Sequence, residues 1–328
     1  MSNASGTLSV AILALPDFVP FDLSVPFQIF SEARRADGKP AYDPGFYGPA
    51  PVAESGAIRI TGCRPLPDLE GCGLIMVPGL MEPLTFRHDA VAKALKAAVS
   101  RGGRVASICT GAFVLASSGL LDGLSATTHW ACTAALAEAF PRVRVEEDVL
   151  FTDNGRILTS AGLAAGMDLC FHLIERDHGA AVAERSRDFF VSPLARDGGQ
   201  RQRLRRPDQP ENNLEPLRIW LLENLHNAVT VEEMAKRACM SPRSLHRRFI
   251  EQTGCPPMTW LTRARIRRAR VLLETGTLGI EQIATMTGFA TAAAFRTRFR
   301  QESGLCPTLW RRDHAGRHDA KDRSGNRS

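Results

Sequence analysis

The chain has 328 residues, 44% of them hydrophobic and 23% charged, with 41 Lys+Arg against 35 Asp+Glu and a formal net charge of +6. This length exceeds what one core spans and fits a domain of about 190 residues followed by one of about 100, and the ordinary balance of apolar and charged residues excludes a fibrous or wholly disordered chain. No stretch approaches the ~20 continuous apolar residues of a membrane span, the amino terminus lacks a signal peptide's charged start and apolar run, and eight cysteines without CxxC or metal-type spacing fit a reducing cytoplasm with neither metal nor cofactor.

Residues 1–7 are small and polar and are expected to form an unstructured extension. Leu8–Leu15, Leu74–Val77, Arg104–Ile108 and Ile157–Thr159 are short apolar runs of strand type, and helical patterns fall near 22–36, 88–101, 110–119, 129–140 and 161–190. Their alternation predicts an α/β layered fold over residues 8–195, with a mostly parallel sheet and helices on both faces. Ligands in such folds bind at the carboxyl ends of the strands. Asp22 lies just after the first strand in Pro20-Phe-Asp-Leu-Ser-Val-Pro26, Gly79-Leu80 follows the second, and Cys109-Thr110-Gly111-Ala112 follows the third directly. The last is a nucleophile-elbow pattern, a tight strand-to-helix turn that exposes a side chain near a helix amino end. Such an end stabilises a thiolate, so Cys109 is expected to be more acidic than an ordinary thiol. Thr128-His129-Trp130 opens the next helix, with His129 either a pocket member or a helix cap. Cys63, Cys72, Cys132, Cys170, Cys239, Cys255 and Cys306 read as small apolar packing residues.

Residues 196–213 are nearly devoid of apolar side chains and read as an exposed linker. The next hundred residues then say one thing twice. Met234-Ala235, Leu245, Phe249, Gly254, Pro257 and Trp260 recur as Ile283-Ala284, Phe295, Phe299, Gly304, Pro307 and Trp310, at an offset of 49 and then 50 residues. Each copy reads as a short helix with a small residue at its crossing point, a turn, and a second helix ending at Gly, which is a helix-turn-helix. Ser241 is a natural N-cap and Pro242 suits the first helical position, so Arg243, Ser244, His246, Arg247 and Arg248 lie early on that second helix. In the second copy Ala292, Ala293, Arg296 and Thr297 lie early on the corresponding helix. Pro257 to Thr275 reads as a connecting helix, with Ile266, Ala269, Leu272 and Leu273 on one face and Arg263, Arg265, Arg267, Arg268 and Arg270 on the remainder.

Charge separates the two parts. Residues 213–312 hold 16 Lys+Arg against 8 Asp+Glu, a net of +8, whereas residues 1–195 hold 16 against 21, a net of −5. A basic module attracts phosphates by counterion release while side chains at helix starts read base edges, so double-stranded promoter DNA is the expected partner. The polar tail 313–328 is expected to be disordered.

On these residues the segment from about Leu214 to Arg312, including Gly288-Phe289 and the closing Gly304-Leu-Cys-Pro307…Trp310, resembles the DNA-binding domain of the AraC/XylS transcription regulators. The resemblance implies two helix-turn-helix units on one long helix, with recognition helices in successive major grooves about 34 Å apart. It makes Arg243, Ser244, His246 and Arg247 the readers in the first unit and Ala292, Ala293, Arg296 and Thr297 those in the second. The segment from about Ser9 to Val191 resembles the DJ-1/PfpI superfamily, a class I glutamine-amidotransferase-like fold. More narrowly, Ser107-Ile-Cys-Thr-Gly-Ala-Phe113, Ala126-Thr-Thr-His-Trp130 and Leu158-Thr-Ser-Ala-Gly-Leu-Ala-Ala-Gly-Met-Asp168 look like the GlxA-type regulators, which fuse this fold to an AraC-type module.

That resemblance implies a sensor without turnover, holding a small nitrogen-containing metabolite among Asp22, Gly79, Leu80, Cys109, Thr110, His129 and Ser160. It also implies a homodimer, with RNA polymerase as a further partner where the regulator is an activator; activation and repression both stand open. A second reading stands beside it. Superfamily proteases place a His after the cysteine, where this chain has Thr110, but isonitrile hydratases use a Cys-Thr pair with an Asp, which Asp22, Cys109 and Thr110 match. A cysteine-dependent hydratase or hydrolase with a DNA-binding tail is thus the alternative, against which Leu80 stands where many superfamily enzymes have a second glycine.

Overall fold

The computed structural model describes residues 6–192, 196–200, 202 and 214–315. They fall into two units: Gly6–Leu173 with Ser186–Arg203, and Ile174–Arg185 with the chain from Leu204 onward. The strands are β1 (Leu8–Leu13), β2 (Tyr42–Gly48), β3 (Val52–Ser55), β4 (Ile58–Thr61), β5 (Arg64–Pro65), β6 (Leu74–Val77), β7 (Arg104–Ile108), β8 (Ser125–Ala126), β9 (Arg144–Val145), β10 (Phe151–Asp153) and β11 (Ile157–Ser160). Seven of them form one sheet in the order β10-β11-β7-β6-β1-β2-β5. Every pairing in it is parallel except that of β10 with β11. Leu-Ile-Met-Val in β6 and Ile-Leu-Thr-Ser in β11 are buried throughout, the continuous runs expected of parallel strands covered on both faces. The helices of the first part of the chain are α1 (Pro20–Glu32), α2 (Asp89–Ser100), α3 (Gly111–Ser117), α4 (Thr133–Ala139), α5 (Ala164–His178) and α6 (Ala180–Phe189). The helix expected over 161–190 is two, parted at Gly179 with φ of 90°, a left-handed conformation that glycine adopts without strain. Since β11, β7, β6 and β1 are neighbours, the segments leaving their carboxyl ends converge.

The expected linker begins later than its composition indicates. Arg196 pairs with the buried Asp168 at 2.6 Å, and Leu150 and Phe151 donate their N–H groups to the Gly198 carbonyl at 2.7 and 3.2 Å. Gln200 is buried, and the Gln202 amide donates to Thr127 Oγ1 at 3.1 Å and to the Thr128 carbonyl at 2.9 Å. A buried carboxylate and strand-edge donors need partners, so this polar segment is held by hydrogen bonds rather than by apolar burial. Residues 203–213 of the expected linker lie outside the described residues.

In the second unit α7 (Glu215–Glu223), α8 (Val231–Arg237), α9 (Pro242–Thr253), α10 (Pro257–Thr275), α11 (Ile280–Met286), α12 (Ala292–Ser303) and α13 (Pro307–Ala315) follow in turn. Two cores form along α10. Trp260, Leu261 and Ala264 pack with Leu217, Met234, Ala235, Leu245 and Phe249, and Ile266, Ala269 and Leu273 pack with Ile283, Ala284, Phe295 and Phe299. Ser241 and Thr291 cap α9 and α12, accepting the N–H of Ser244 at 3.2 Å and of Ala294 at 3.1 Å. Gly254 and Gly304 end the same helices in the left-handed conformation. Within this unit Glu274 accepts the N–H groups of Ala180 and Ala181 at the start of α6 and the indole N–H of Trp310, at 3.1, 2.8 and 3.0 Å. Arg270 pairs with Glu175 at 2.6 Å. Helix α13 carries order past residue 313, where the tail was expected to begin. Residues 316–328 of that tail, and 1–5 of the amino-terminal extension, lie outside the described residues.

Candidate functional site

Cys109 sits where β7 turns into α3, with φ of 55°, a strained value for a residue other than glycine and a mark of functional sites. Its N–H donates to the Ser160 carbonyl at 2.9 Å and its carbonyl accepts the Thr128 hydroxyl at 2.8 Å. The elbow is therefore clamped between β11 and the segment before α4. Asp22, in the first turn of α1, is fully buried. Its Oδ1 accepts the Leu163 N–H at 3.1 Å, whereas its Oδ2 makes no hydrogen bond of ordinary geometry. Gly79 lies where these groups meet. A Cβ there would stand 2.5 Å from Asp22 Oδ2 and 3.1 Å from both Cys109 Cβ and Thr110 Oγ1. Gly162, with φ of 87°, closes the other side, and a Cβ on it would lie 2.9 Å from Cys109 Sγ.

The electrostatics reverse one expectation. Burial first, and then the Asp22 charge, push the Cys109 thiol up to about 12, with only the Thr110 N–H pulling the other way. Helix α3 spans seven residues, so the dipole at its amino end is small and desolvation of the thiolate wins. Cys109 is therefore less acidic than an ordinary thiol, not more. Burial likewise raises the Asp22 carboxyl above its usual range, against the Leu163 N–H, the thiol and the Gly79 N–H.

Thr110 is occupied. Its hydroxyl donates to the Leu80 carbonyl at 2.7 Å and accepts the Leu80 N–H at 2.8 Å, so the strand-end N–H that would face an oxyanion is already bonded. Ser160 is buried in β11, with its hydroxyl donating to the Ser107 carbonyl at 3.4 Å. His129 caps the short 3-10 turn at 130–132, accepting the Ala131 N–H at 3.4 Å, and its half-burial lowers the imidazole pKa. Asp22, Gly79, Leu80, Cys109 and Thr110 are thus brought together, while Ser160 and His129 act at the clamp and the cap. Sequence reasoning missed Gly162, Leu163 and Thr128 as site residues. All three fall in or beside the quoted motifs, yet only the fold shows that backbone groups of two of them meet Asp22 and Cys109.

On the basic unit, Arg243, His246 and Arg247 of α9 are exposed. Arg247 keeps only a loose 4.0 Å pairing with Glu251, and Ser244 is tied to the cap by the Ser241 hydroxyl at 2.9 Å. On α12, Ala293, Ala294, Arg296, Thr297, Arg298 and Arg300 are exposed, and Arg296 pairs with Glu281 of α11 at 2.7 Å. Ala292 is different. It occupies the first helical position, equivalent to Pro242, and packs against the second core, so Ala293 and Ala294 carry the exposed methyl groups.

Among the described residues no helix is long and apolar enough to cross a membrane, and no group of three His, Cys, Asp or Glu side chains is placed to hold a metal ion. Family models match the chain in two places: DJ-1/PfpI over residues 9–176 and a helix-turn-helix domain over 234–313. The chain is 32% identical over 232 residues to the HTH-type transcriptional regulator GbdR of Pseudomonas aeruginosa, covering 70% of this chain but 62% of that protein's length. It is 29% identical over 319 residues to the HTH-type transcriptional regulator GlxA of Rhizobium meliloti, covering 95% of this chain and 98% of that one. Among solved structures, an AraC family transcriptional regulator from Pseudomonas putida is similar in fold, with a TM-score of 0.50 and 20% identity over 56% of this chain and 99% of that one. The chain belongs to the DJ-1/PfpI family, with that fold joined to an AraC-type helix-turn-helix domain.

Proposed function

We propose that the chain is a sequence-specific, DNA-binding transcriptional regulator whose DJ-1/PfpI-like domain senses a small metabolite. The observation that carries this reading is the pair of matched, capped helices α9 and α12. They expose Arg243, His246 and Arg247, and Arg296 and Thr297, on a segment of net charge +8. Phosphate attraction supplies grip and these side chains supply choice. The amino-terminal site supports sensing over turnover. Its thiol is held in the neutral form, its threonine hydroxyl is bonded on both sides, and a nucleophile needs the opposite of each.

What the site does offer is Asp22, a buried carboxylate whose Oδ2 makes no hydrogen bond of ordinary geometry and which suits the N–H of a small nitrogen compound. Occupancy would shift a homodimer between DNA-engaging and idle arrangements by as much as the ligand distinguishes the two. The test is binding of the purified protein to a duplex from its own upstream region over a salt series, with wild type, an Arg243→Ala/Arg247→Ala double variant and Cys109→Ala. Specific binding should be lost in the double variant and kept in Cys109→Ala. Specific binding unchanged in the double variant would sink the assignment.

A further inference from the structure

The two cores of the DNA-binding unit meet at Arg265. Ala264 belongs to the first and Ile266 to the second, and the arginine between them is 9% exposed. Its Nε donates to the Leu225 carbonyl at 3.0 Å and its Nη2 to the Asn227 carbonyl at 2.6 Å, both in the loop that leads into α8. The same guanidinium also neighbours the second copy. Its Cζ stands 6.0 Å from the centre of the Phe289 ring, in the turn that leads into α12. That turn comes close to the first loop: a Cβ on Gly288 would lie 2.1 Å from the Leu225 carbonyl oxygen and 2.8 Å from Arg265 Cζ. The sequence pattern had placed Arg265 in a charged face with Arg263, Arg267, Arg268 and Arg270. The fold separates it from them.

A buried cation bonded to neutral carbonyls is an expensive way to fill space. Burial pulls its pKa below the usual arginine value, and an apolar side chain of similar volume would avoid that desolvation. What a guanidinium adds is a flat fork that points two N–H groups in fixed directions while its face lies against a ring. Here the fork holds the loop before one helix-turn-helix, and the same guanidinium neighbours the turn within the other. We propose that Arg265 is a positioning residue for DNA recognition: it locks the loop before α8 to the turn before α12 and so sets the separation of the two recognition helices, α9 and α12. The inference rests on the reading that both helices engage DNA. Two linked binding elements reinforce each other only when their spacing matches their sites, and half-sites on one DNA face lie about 10–10.5 bp apart. A pin at the junction of the two cores thus governs spacing without touching a base.

The test is selection from a random duplex library with the full chain as wild type, Arg265→Lys and Arg265→Met, followed by affinity for three duplexes: the selected site, the same site with 2 bp inserted between its blocks, and one block alone. Wild type should select two sequence blocks at one fixed separation. Arg265→Met should select the same blocks at scattered separations, with single-block affinity within about twofold of wild type and the two-block advantage reduced by about tenfold or more. Arg265→Lys, which keeps the charge but not the fork, should fall between them. Its milder change carries the test if the Met variant does not fold. Fixed separation in either folded variant overturns the proposal, and so does loss of folding in both, which would leave Arg265 a stability residue. A wild-type chain that selects a single block would instead overturn the two-helix reading, an outcome distinct from the others.

Discussion

Asp22 is a carboxylate that the fold keeps at a cost. Its pKa is raised by burial, so the folded state prefers the protonated acid more than the unfolded chain does. The sign follows from linkage: the penalty is absent below the ordinary value of 3.8, where both states are protonated, and grows as the pH rises and the buried group must ionise. Asp22→Asn keeps an acceptor for the Leu163 N–H and removes the charge. It should raise the melting temperature at pH 7 by about 2–4 °C for each 1 kcal/mol relieved, an advantage that disappears by pH 3.8. A variant that melts lower than wild type at pH 7 would contradict this. The same substitution removes the second cause of the raised Cys109 pKa. Alkylation by iodoacetamide at pH 8, followed residue by residue by mass spectrometry, should therefore leave Cys109 behind the exposed Cys239 in wild type and speed it in Asp22→Asn. Equal rates for Cys109 and Cys239 in wild type would refute the protonated-thiol description. Cys109, Asp22 and Gly79 were legible in the sequence because strand ends and small residues mark such turns. The acidity of the thiol was not, because its sign depends on desolvation and on a carboxylate 87 positions away in the chain, neither of which a local motif carries.

At the scale of elements, what the sequence reveals depends on what holds each element. Strands β6 and β7 are apolar runs and helices α9 and α12 carry caps at both ends, so their limits are written locally. Strand β2 is not legible in the sequence, since Tyr-Asp-Pro-Gly-Phe-Tyr-Gly contains a proline and two glycines, residues that disfavour strands. It persists by pairing with β1 from Tyr42 to Tyr47. The corner between α5 and α6 is another element fixed from outside, since Glu274 of α10 receives the first N–H groups of α6 and the Trp310 indole. Glu274 is buried, so its loss strands three donors. Glu274→Ala should destabilise the protein by about 3 kcal/mol, at roughly 1 kcal/mol or more for each orphaned group, read from urea unfolding. Glu274→Gln, which retains one carbonyl acceptor, should lose less. A Glu274→Ala variant within 0.5 kcal/mol of wild type, the range of an ordinary surface substitution, would show the carboxylate to be dispensable.

For the whole molecule the governing feature is the division of charge, −5 over residues 1–195 against +8 over residues 213–312. An acidic domain adds nothing to phosphate attraction, so the salt dependence of DNA binding should belong to the basic segment alone. Within it, two kinds of arginine should separate by experiment. Arg243 stands in the first turn of α9, two residues past the Ser241 cap, and is exposed; in the proposed reading it reads a base edge. Arg298 is exposed on α12 and bonded to Gln301 along its own helix at 3.1 Å; in the proposed reading it meets a phosphate. Arg298→Ala should weaken binding to all sequences alike and flatten the slope of log affinity against log salt by about 1. Arg243→Ala should cost about 1–3 kcal/mol on the preferred site and relax discrimination at one base position, leaving nonspecific binding nearly unchanged. The opposite assignment, a flattened slope without lost discrimination for Arg243→Ala, would mean that α9 grips the backbone. Choice of sequence would then rest with α12, whose exposed Ala293 and Ala294 can distinguish little beyond a thymine methyl group.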